Sequence, residues 1–375
     1  MRITDLATPA ALVDLDALER NAQAMAARAH RLGVRLRPHV KTHKCAEAAR
    51  IQVRGHFGGI TVSTLAEARH FAAAGFRDIT YAVPVSPRRL DEVADLVLSG
   101  TRLHVVLDHP TTLAEVERCA EGRRLRFSAF LKVDCGGGRA GVAPDSEGAV
   151  ALALAMHRSR HVELHGLLTH AGHAYACRGR DEVRRVATEE RAALVGLAAR
   201  LQEVGVSVPE LSLGSTPTLS VAETLPGITE VRPGNYLFFD AFQAAIGSCG
   251  ATDIAFSVLA TVIGVYPERG ELLIDAGALA LSKDPGPTHV DPDCGFGLVR
   301  DAAGSGRFGQ LKVMALTQEH AVLRSPSGEV PPELGIGASL RILPNHSCLA
   351  AALFDILQVV RGLEVVDQWR PVRGW

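Results

Sequence analysis

The segment Val34-Arg-Leu-Arg-Pro-His-Val-Lys-Thr-His-Lys44 decides how the rest of the chain is read. It reads as a strand over residues 34–40 that runs into a cluster of ionisable side chains. Gly33 closes the helix before it, and Pro38 removes a backbone donor and disfavours a helical conformation at Arg37. Residues 44–54 return to helical composition. Lys41 therefore stands where a strand gives way to a helix, and in α/β folds that end of a strand is where chemistry is placed. Alternation directs Arg37, His39 and Lys41 to one face. Composition singles out Lys41 again. Only five of the 40 basic residues are lysines (Lys41, Lys44, Lys132, Lys283 and Lys312), and the rest are arginines. Arginine keeps its proton near neutral pH, so a chain that uses it for surface charge reserves lysine for places that need an amine.

Outward from this segment the chain alternates. Strands are expected at about 34–40, 58–63, 78–83, 102–108, 126–134, 163–170, 210–214 and 228–232. Helices fill the gaps at 44–54, 65–74, 87–98, 111–120, 146–158 and 181–204. Gly75, Gly100 and Gly205 are placed as helix stops. The strands are Val-, Ile- and Leu-rich without strict alternation, as in a parallel sheet buried on both faces. The class is α/β. Eight βα units and no early GxGxxG predict an N-terminal (β/α)8 TIM barrel over residues 1–240 rather than a doubly wound sheet. From Phe256 onward the segments are short and β-like (Phe256 to Tyr266, Glu271 to Asp275, Leu311 to Ala315, Ala321 to Leu323, Ser339 to Leu343). They predict a mostly β domain over residues 241–375, with residues 1–15 as candidates to pair with it.

The bulk properties set limits on function. A 375-residue chain with 47% hydrophobic and 22% charged residues is an ordinary globular protein, long enough for two domains. A formal net charge of −1 gives no broad attraction to nucleic acid or an acidic membrane. No stretch has the pattern of a signal peptide or a membrane span. Seven scattered cysteines without a CxxC pair argue against a disulfide framework and for a reducing, cytoplasmic compartment.

Five further stretches can carry chemistry. Leu213-Gly-Ser-Thr-Pro-Thr218 offers glycine, hydroxyls and backbone N–H groups after a strand, a turn suited to phosphate. Glu230-Val-Arg-Pro-Gly-Asn-Tyr236 follows the eighth strand; barrels build phosphate sites from the loops after strands seven and eight. Leu131-Lys-Val-Asp-Cys-Gly-Gly-Gly-Arg-Ala-Gly141 and His170-Ala-Gly-His-Ala-Tyr175 lie on the same rim. Pro344-Asn-His-Ser-Cys348 spaces an imidazole and a thiol to grip one zinc-like ion, leaving coordination positions open.

Together these stretches resemble the D-serine dehydratase and D-threonine aldolase family of fold-type III, alanine racemase-like pyridoxal-phosphate enzymes. The resemblance also takes in Thr8-Pro-Ala-Ala-Leu-Val-Asp14 and Gln318-Glu-His320, so it covers nearly the whole chain. It implies that Lys41 forms the Schiff base with pyridoxal 5'-phosphate and serves in catalysis. Gly214, Ser215, Thr216, Gly234 and Asn235 match the phosphate cradle, and Arg232 matches the position facing the pyridine nitrogen, where it would disfavour ring protonation. Arg139 matches an arginine near the phenolic oxygen and Tyr175 an active-site tyrosine with a catalytic place; His170 and Tyr236 complete the expected cofactor-binding set. His346 and Cys348 match the metal pair. Dehydratase-like members carry His-x-Cys with zinc, whereas many aldolases carry His-x-Asp with manganese or another divalent ion, and a thiolate favours zinc. The resemblance thus implies a pyridoxal-phosphate- and zinc-dependent lyase that dehydrates small D-3-hydroxy amino acids to a 2-oxo acid and ammonia. The alternative is aldolase cleavage to glycine and an aldehyde; a racemase and a non-catalytic cofactor-binding protein rank below it. It further implies a homodimer with the active site near the interface.

Overall fold

The computed structural model describes all 375 residues. By contacts the chain divides into two units: Ala24–Gly234 with Val372–Trp375, and Met1–Gln23 with Asn235–Pro371.

The first unit is the barrel. The first strand of the chain, β1 (Ala10–Asp14), lies outside it. Eight parallel strands follow: β2 (Arg35–Leu36), β3 (Ile60–Val62), β4 (Asp78–Pro84), β5 (Arg102–Leu107), β6 (Phe127–Lys132), β7 (Val162–Leu168), β8 (Glu210–Leu213) and β9 (Glu230–Val231). β3 to β9 pair in chain order, and β9 pairs in turn with β2. A parallel bridge between His39 and Thr61, with the Thr61 N–H donating to the Pro38 carbonyl at 2.9 Å, links the β2 segment to β3. Helices between strands start at side-chain caps such as Thr64 and Ser146. Gly33, Gly75, Gly100 and Gly205 all take positive φ just past helix ends, the stops read from the sequence.

Two differences from expectation have clear causes. The strand expected over 34–40 pairs regularly only at Arg35–Leu36; the chain stays extended to His39, then Val40–Thr42 forms a 3-10 turn. Lys41 is on that turn, so the alternation that groups it with Arg37 and His39 ends before it. The stretch read only as a phosphate turn contains a short helix, Thr216–Val221, which Ser215 and Thr218 cap reciprocally with Pro217 in the first turn.

The barrel interior is partly polar. Arg37, 2% exposed, donates from Nε to Glu230 at 2.6 Å and from an η nitrogen to Asp78. His104 reaches Asp78 and Ser128, and its ring stacks on His165 with centroids 4.1 Å apart. Val106, Phe130 and Leu168 form an apolar cluster, and the Phe130 ring meets His104 and His165 edge-on. Arg37 is therefore a structural ion, not a substrate neighbour. His43 is structural as well, with Nε2 against Gln52 at 2.8 Å and Nδ1 accepting the Cys45 N–H at 3.1 Å.

In the second unit β1 joins a nine-stranded sheet with β10 (Phe256–Tyr266), β11 (Glu271–Ile274), β12 (Gly297–Asp301), β13 (Lys312–Leu316), β14 (Ala321–Arg324), β15 (Ser339–Pro344), β16 (Leu357–Arg361) and β17 (Glu364–Trp369). β1 pairs antiparallel with β10 and parallel with β16, so residues 10–14 do add to the β domain. The sequence reading misses β12, β16 and β17. β17 is an edge strand with mostly exposed residues, and such strands lack the apolar pattern that betrays a buried one. None of the seven cysteines forms a disulfide. No helix is long and apolar enough to cross a membrane.

Candidate active site

The carboxyl ends of the barrel strands carry the candidate residues. Lys41 follows β2, Lys132 is the last residue of β6, His170 stands two residues past β7, Gly214 to Thr216 follow β8, and Arg232 follows β9. His170 shows that they converge. Burial first, then the charges of Lys41, Lys132, Arg139 and Arg232, hold its imidazole well below the ordinary histidine value. His39 is held down likewise by burial, then by Lys41, Arg232, His170 and His43. Four cations thus gather about two neutral imidazoles. The Lys41 amine is exposed and makes no hydrogen bond or ion pair within the chain.

Arg232 is 5% exposed and has no carboxylate in direct contact. Its η nitrogens donate to the Ser212 hydroxyl and the Thr169 carbonyl. Ser212 donates in turn to Glu230 at 2.6 Å, so the Arg37 network reaches Arg232 through one hydroxyl. Burial pushes Arg232 down to about 10, still a cation at neutral pH. Glu190, 1% exposed, accepts the N–H groups of Ala171 at 2.8 Å and Gly214 at 3.2 Å. That one carboxylate ties the His170 loop to the Gly214 turn, where φ is +102° and only glycine is unstrained. A Cβ on Gly234 would lie 2.8 Å from the His39 carbonyl oxygen, so this close approach requires glycine.

A cavity of about 330 Å³ opens on the rim, lined by Lys132, Asp134, Gly137, Arg139, His170 and His173 among others. Tyr175 is half-buried in the 3-10 turn Gly172–Ala176 beyond it.

In the β unit, His346 precedes the helix Ser347–Ala351 and Cys348 lies within it. His346 Nδ1 is 3.1 Å from Asp284 Oδ2, and the imidazole is also hydrogen-bonded to Cys348. Burial opposes its cation, but the bonds to Asp284 and Cys348, with the charges of Cys348 and Asp240, push His346 up to about 11. No third His, Cys, Asp or Glu completes a metal cluster. Asn235 turns its side chain to this region, donating to Asp240 at 2.8 Å, Ser347 at 3.1 Å and Cys348 Sγ at 3.7 Å. Tyr236 is fully buried beside it in sequence. Of the expected phosphate cradle, the Asn235 side chain is therefore committed elsewhere.

Residues 13–241 match the alanine racemase N-terminal domain, and residues 255–360 match a putative serine dehydratase domain. The D-threo-3-hydroxyaspartate dehydratase of Delftia sp. (strain HT23) is 39% identical over 99% of this chain and 98% of its own length. A solved structure of that enzyme in a metal-free mutant form covers the whole of both chains, with 38% identity and a TM-score of 0.95. The D-serine dehydratase of Dictyostelium discoideum is 35% identical over 100% of this chain and 98% of its own. A D-threonine aldolase from Arthrobacter sp. is 31% identical over 98% of this chain and 93% of its own. The chain belongs to the D-serine dehydratase and D-threonine aldolase family, within the alanine racemase-like fold.

The residues present fit what this family implies. Pyridoxal phosphate carries a phosphate and a phenolic oxygen, and the cavity rim presents Lys132, Arg139 and a buried His173 Nδ1 that has no partner. The free Lys41 amine shares His170 as a neighbour with that cavity's cations. For a metal, a carboxylate on the Nδ1 of His346 is the arrangement that orients a histidine ligand, and the Cys348 thiol is close to the same imidazole.

The sequence reading missed Lys132, Glu190 and Asp284 as site residues. Lys132 carried a usable signal, since the lysine scarcity that picked out Lys41 applies to it equally. Glu190 lies in mid-helix and Asp284 in a Pro-Gly segment, and neither position marks a function in sequence.

Proposed function

We propose that the chain is a pyridoxal-phosphate-dependent lyase that dehydrates D-3-hydroxy amino acids, with zinc or another divalent ion at His346 and Cys348. The observation that carries this reading is the unpaired Lys41 amine at the end of a barrel strand, among neutral His39 and His170 and the cation Arg232. Bound pyridoxal phosphate supplies an electron sink for the charge left at the substrate α-carbon. Lys41 Nζ accepts the α-proton. Arg232, kept protonated and aimed by Ser212 and Thr169, would not give up its proton to the cofactor ring, which would leave the ring nitrogen unprotonated and limit how far charge moves into it. His39 and His170 stay neutral and do not compete as acids. Asp284 holds the His346 ring so that His346 and Cys348 can hold a Lewis acid for the departing 3-hydroxyl. The substrate loses its α-proton and hydroxyl as water, and the released enamine hydrolyses to a 2-oxo acid and ammonia.

A second reading is retro-aldol cleavage, favoured by the likeness to the Arthrobacter aldolase. Cys348 supports dehydration, because a thiolate selects zinc over harder ions. The product from D-threonine, followed by NMR with zinc and pyridoxal phosphate present, separates the two. Appearance of 2-oxobutyrate is the expected result; glycine with acetaldehyde would replace dehydration by the aldolase reading. The same proposal includes a homodimer, for which light scattering should give twice the 39.8 kDa chain mass.

A further inference from the structure

Lys132 is 5% exposed, and its ammonium has neither a hydrogen bond nor an ion pair within the chain. Its charged neighbours Arg232 and Arg139 bear the same sign. The two carboxylates nearby are already engaged. Asp134 Oδ1 accepts the N–H groups of Gly136 at 3.0 Å, Gly137 at 2.9 Å and Gly138 at 3.2 Å, and Oδ2 accepts Gly138 at 3.1 Å. Glu190 holds the amides of Ala171 and Gly214. A buried charge without a partner is destabilising unless a ligand supplies one. Burial, then Arg232 and Arg139, lower the amine to about 8, so it is still largely protonated at neutral pH. The cavity it faces is also lined by Arg139, His170 and His173, with room for a small ligand.

We propose that Lys132 is the oxyanion-holding group of this cavity, its Nζ binding an anionic oxygen of the ligand together with Arg139. That oxygen belongs either to the second carboxylate of a dicarboxylic D-3-hydroxy amino acid or to the ring oxygen of pyridoxal phosphate. The inference rests on the lyase reading above and names what the site recognises. D-aspartate and D-alanine test it, because both lack the 3-hydroxyl and only the first has a second carboxylate. Each is titrated into the pyridoxal-phosphate holoenzyme, reading the cofactor absorbance. If Lys132 reads the substrate, Lys132→Met raises the Kd of D-aspartate by about tenfold or more relative to that of D-alanine. If Lys132 holds the ring oxygen, both Kd values rise together and the absorption maximum of the cofactor moves. Unchanged Kd values with an unchanged spectrum overturn the assignment. Lys132→Gln serves where the methionine variant does not fold. Failure of the lyase reading shows earlier and separately, as an unsubstituted chain that binds no cofactor or turns over neither D-serine nor 3-hydroxyaspartate.

Discussion

On the barrel rim the amines of Lys41 and Lys132 have no counter-charge, Arg232 is held only by a hydroxyl and a carbonyl, and the buried carboxylate of Glu190 is held by backbone amides. In the β unit the groups gathered at His346 and Cys348 are carboxylates, Asp284 in contact and Asp240 nearby. Buried charge of one sign, left over after internal pairing, marks what a site is built to receive. The contrast fits the proposed function, in which the barrel rim would take an anionic cofactor and substrate and the β unit a metal cation. A purely structural ion network looks different. Arg37 has both of its carboxylate partners, Glu230 and Asp78, within the chain and is left with no unmatched charge to offer a ligand.

Breaking the cationic side has the largest expected effect. Lys41→Ala should lower turnover of D-3-hydroxy amino acids by about a thousandfold or more, since in the proposed function one amine is both the cofactor's anchor and the base. Substantial remaining turnover, measured as 2-oxo acid formation, would remove Lys41 from the mechanism.

Emptying the other side comes next. A chelator, or Cys348→Ala, should stop dehydration while the cofactor absorbance persists. A loss of that absorbance on chelation would show instead that the ion supports the fold of the site. The contrast sharpens at Asp284, which touches the metal pair only through His346. Asp284→Asn should weaken metal binding by about 10- to 100-fold in a competition assay. An unchanged affinity would mean that the carboxylate does not orient the ring.

The smallest effect concerns acid stability and lies in the barrel. Burial pushes His43 down to about 4 and His165 to about 3. The unfolded chain therefore takes up these protons first, and stability present above about pH 6.5 falls as pH drops toward about 4. His43→Gln, which keeps a partner for Gln52, should flatten the dependence of Tm on pH across that window. A slope equal to that of the unsubstituted protein would assign the acid sensitivity to other groups.

Much of this was open to sequence because its signals are local. Gly33 and Pro38 bracket a strand end, Lys41 is conspicuous among so many arginines, and His346 and Cys348 are two residues apart. The βα alternation follows from segment lengths and glycine stops, and β10 from a long apolar run. The misses are of another kind. Arg37 reads as a rim residue until Glu230 and Asp78 are seen to enclose it, 193 and 41 positions away. That the Asn235 side chain lies on Ser347 and Cys348 is likewise invisible in the local sequence.

The sequence by itself determined the barrel-then-β order, the lysine to watch and the candidate metal pair, because each rests on the chemistry or periodicity of neighbouring residues. Only the tertiary structure decided which charges are spent and which are spare. Pairing of buried ions depends on groups brought together from distant strands, as Glu190 joins the loops after β7 and β8, and on the amides that claim Asp134 while leaving Lys132 without a counter-ion. Burial makes each unpaired charge energetically significant, and burial is a property of the packed fold.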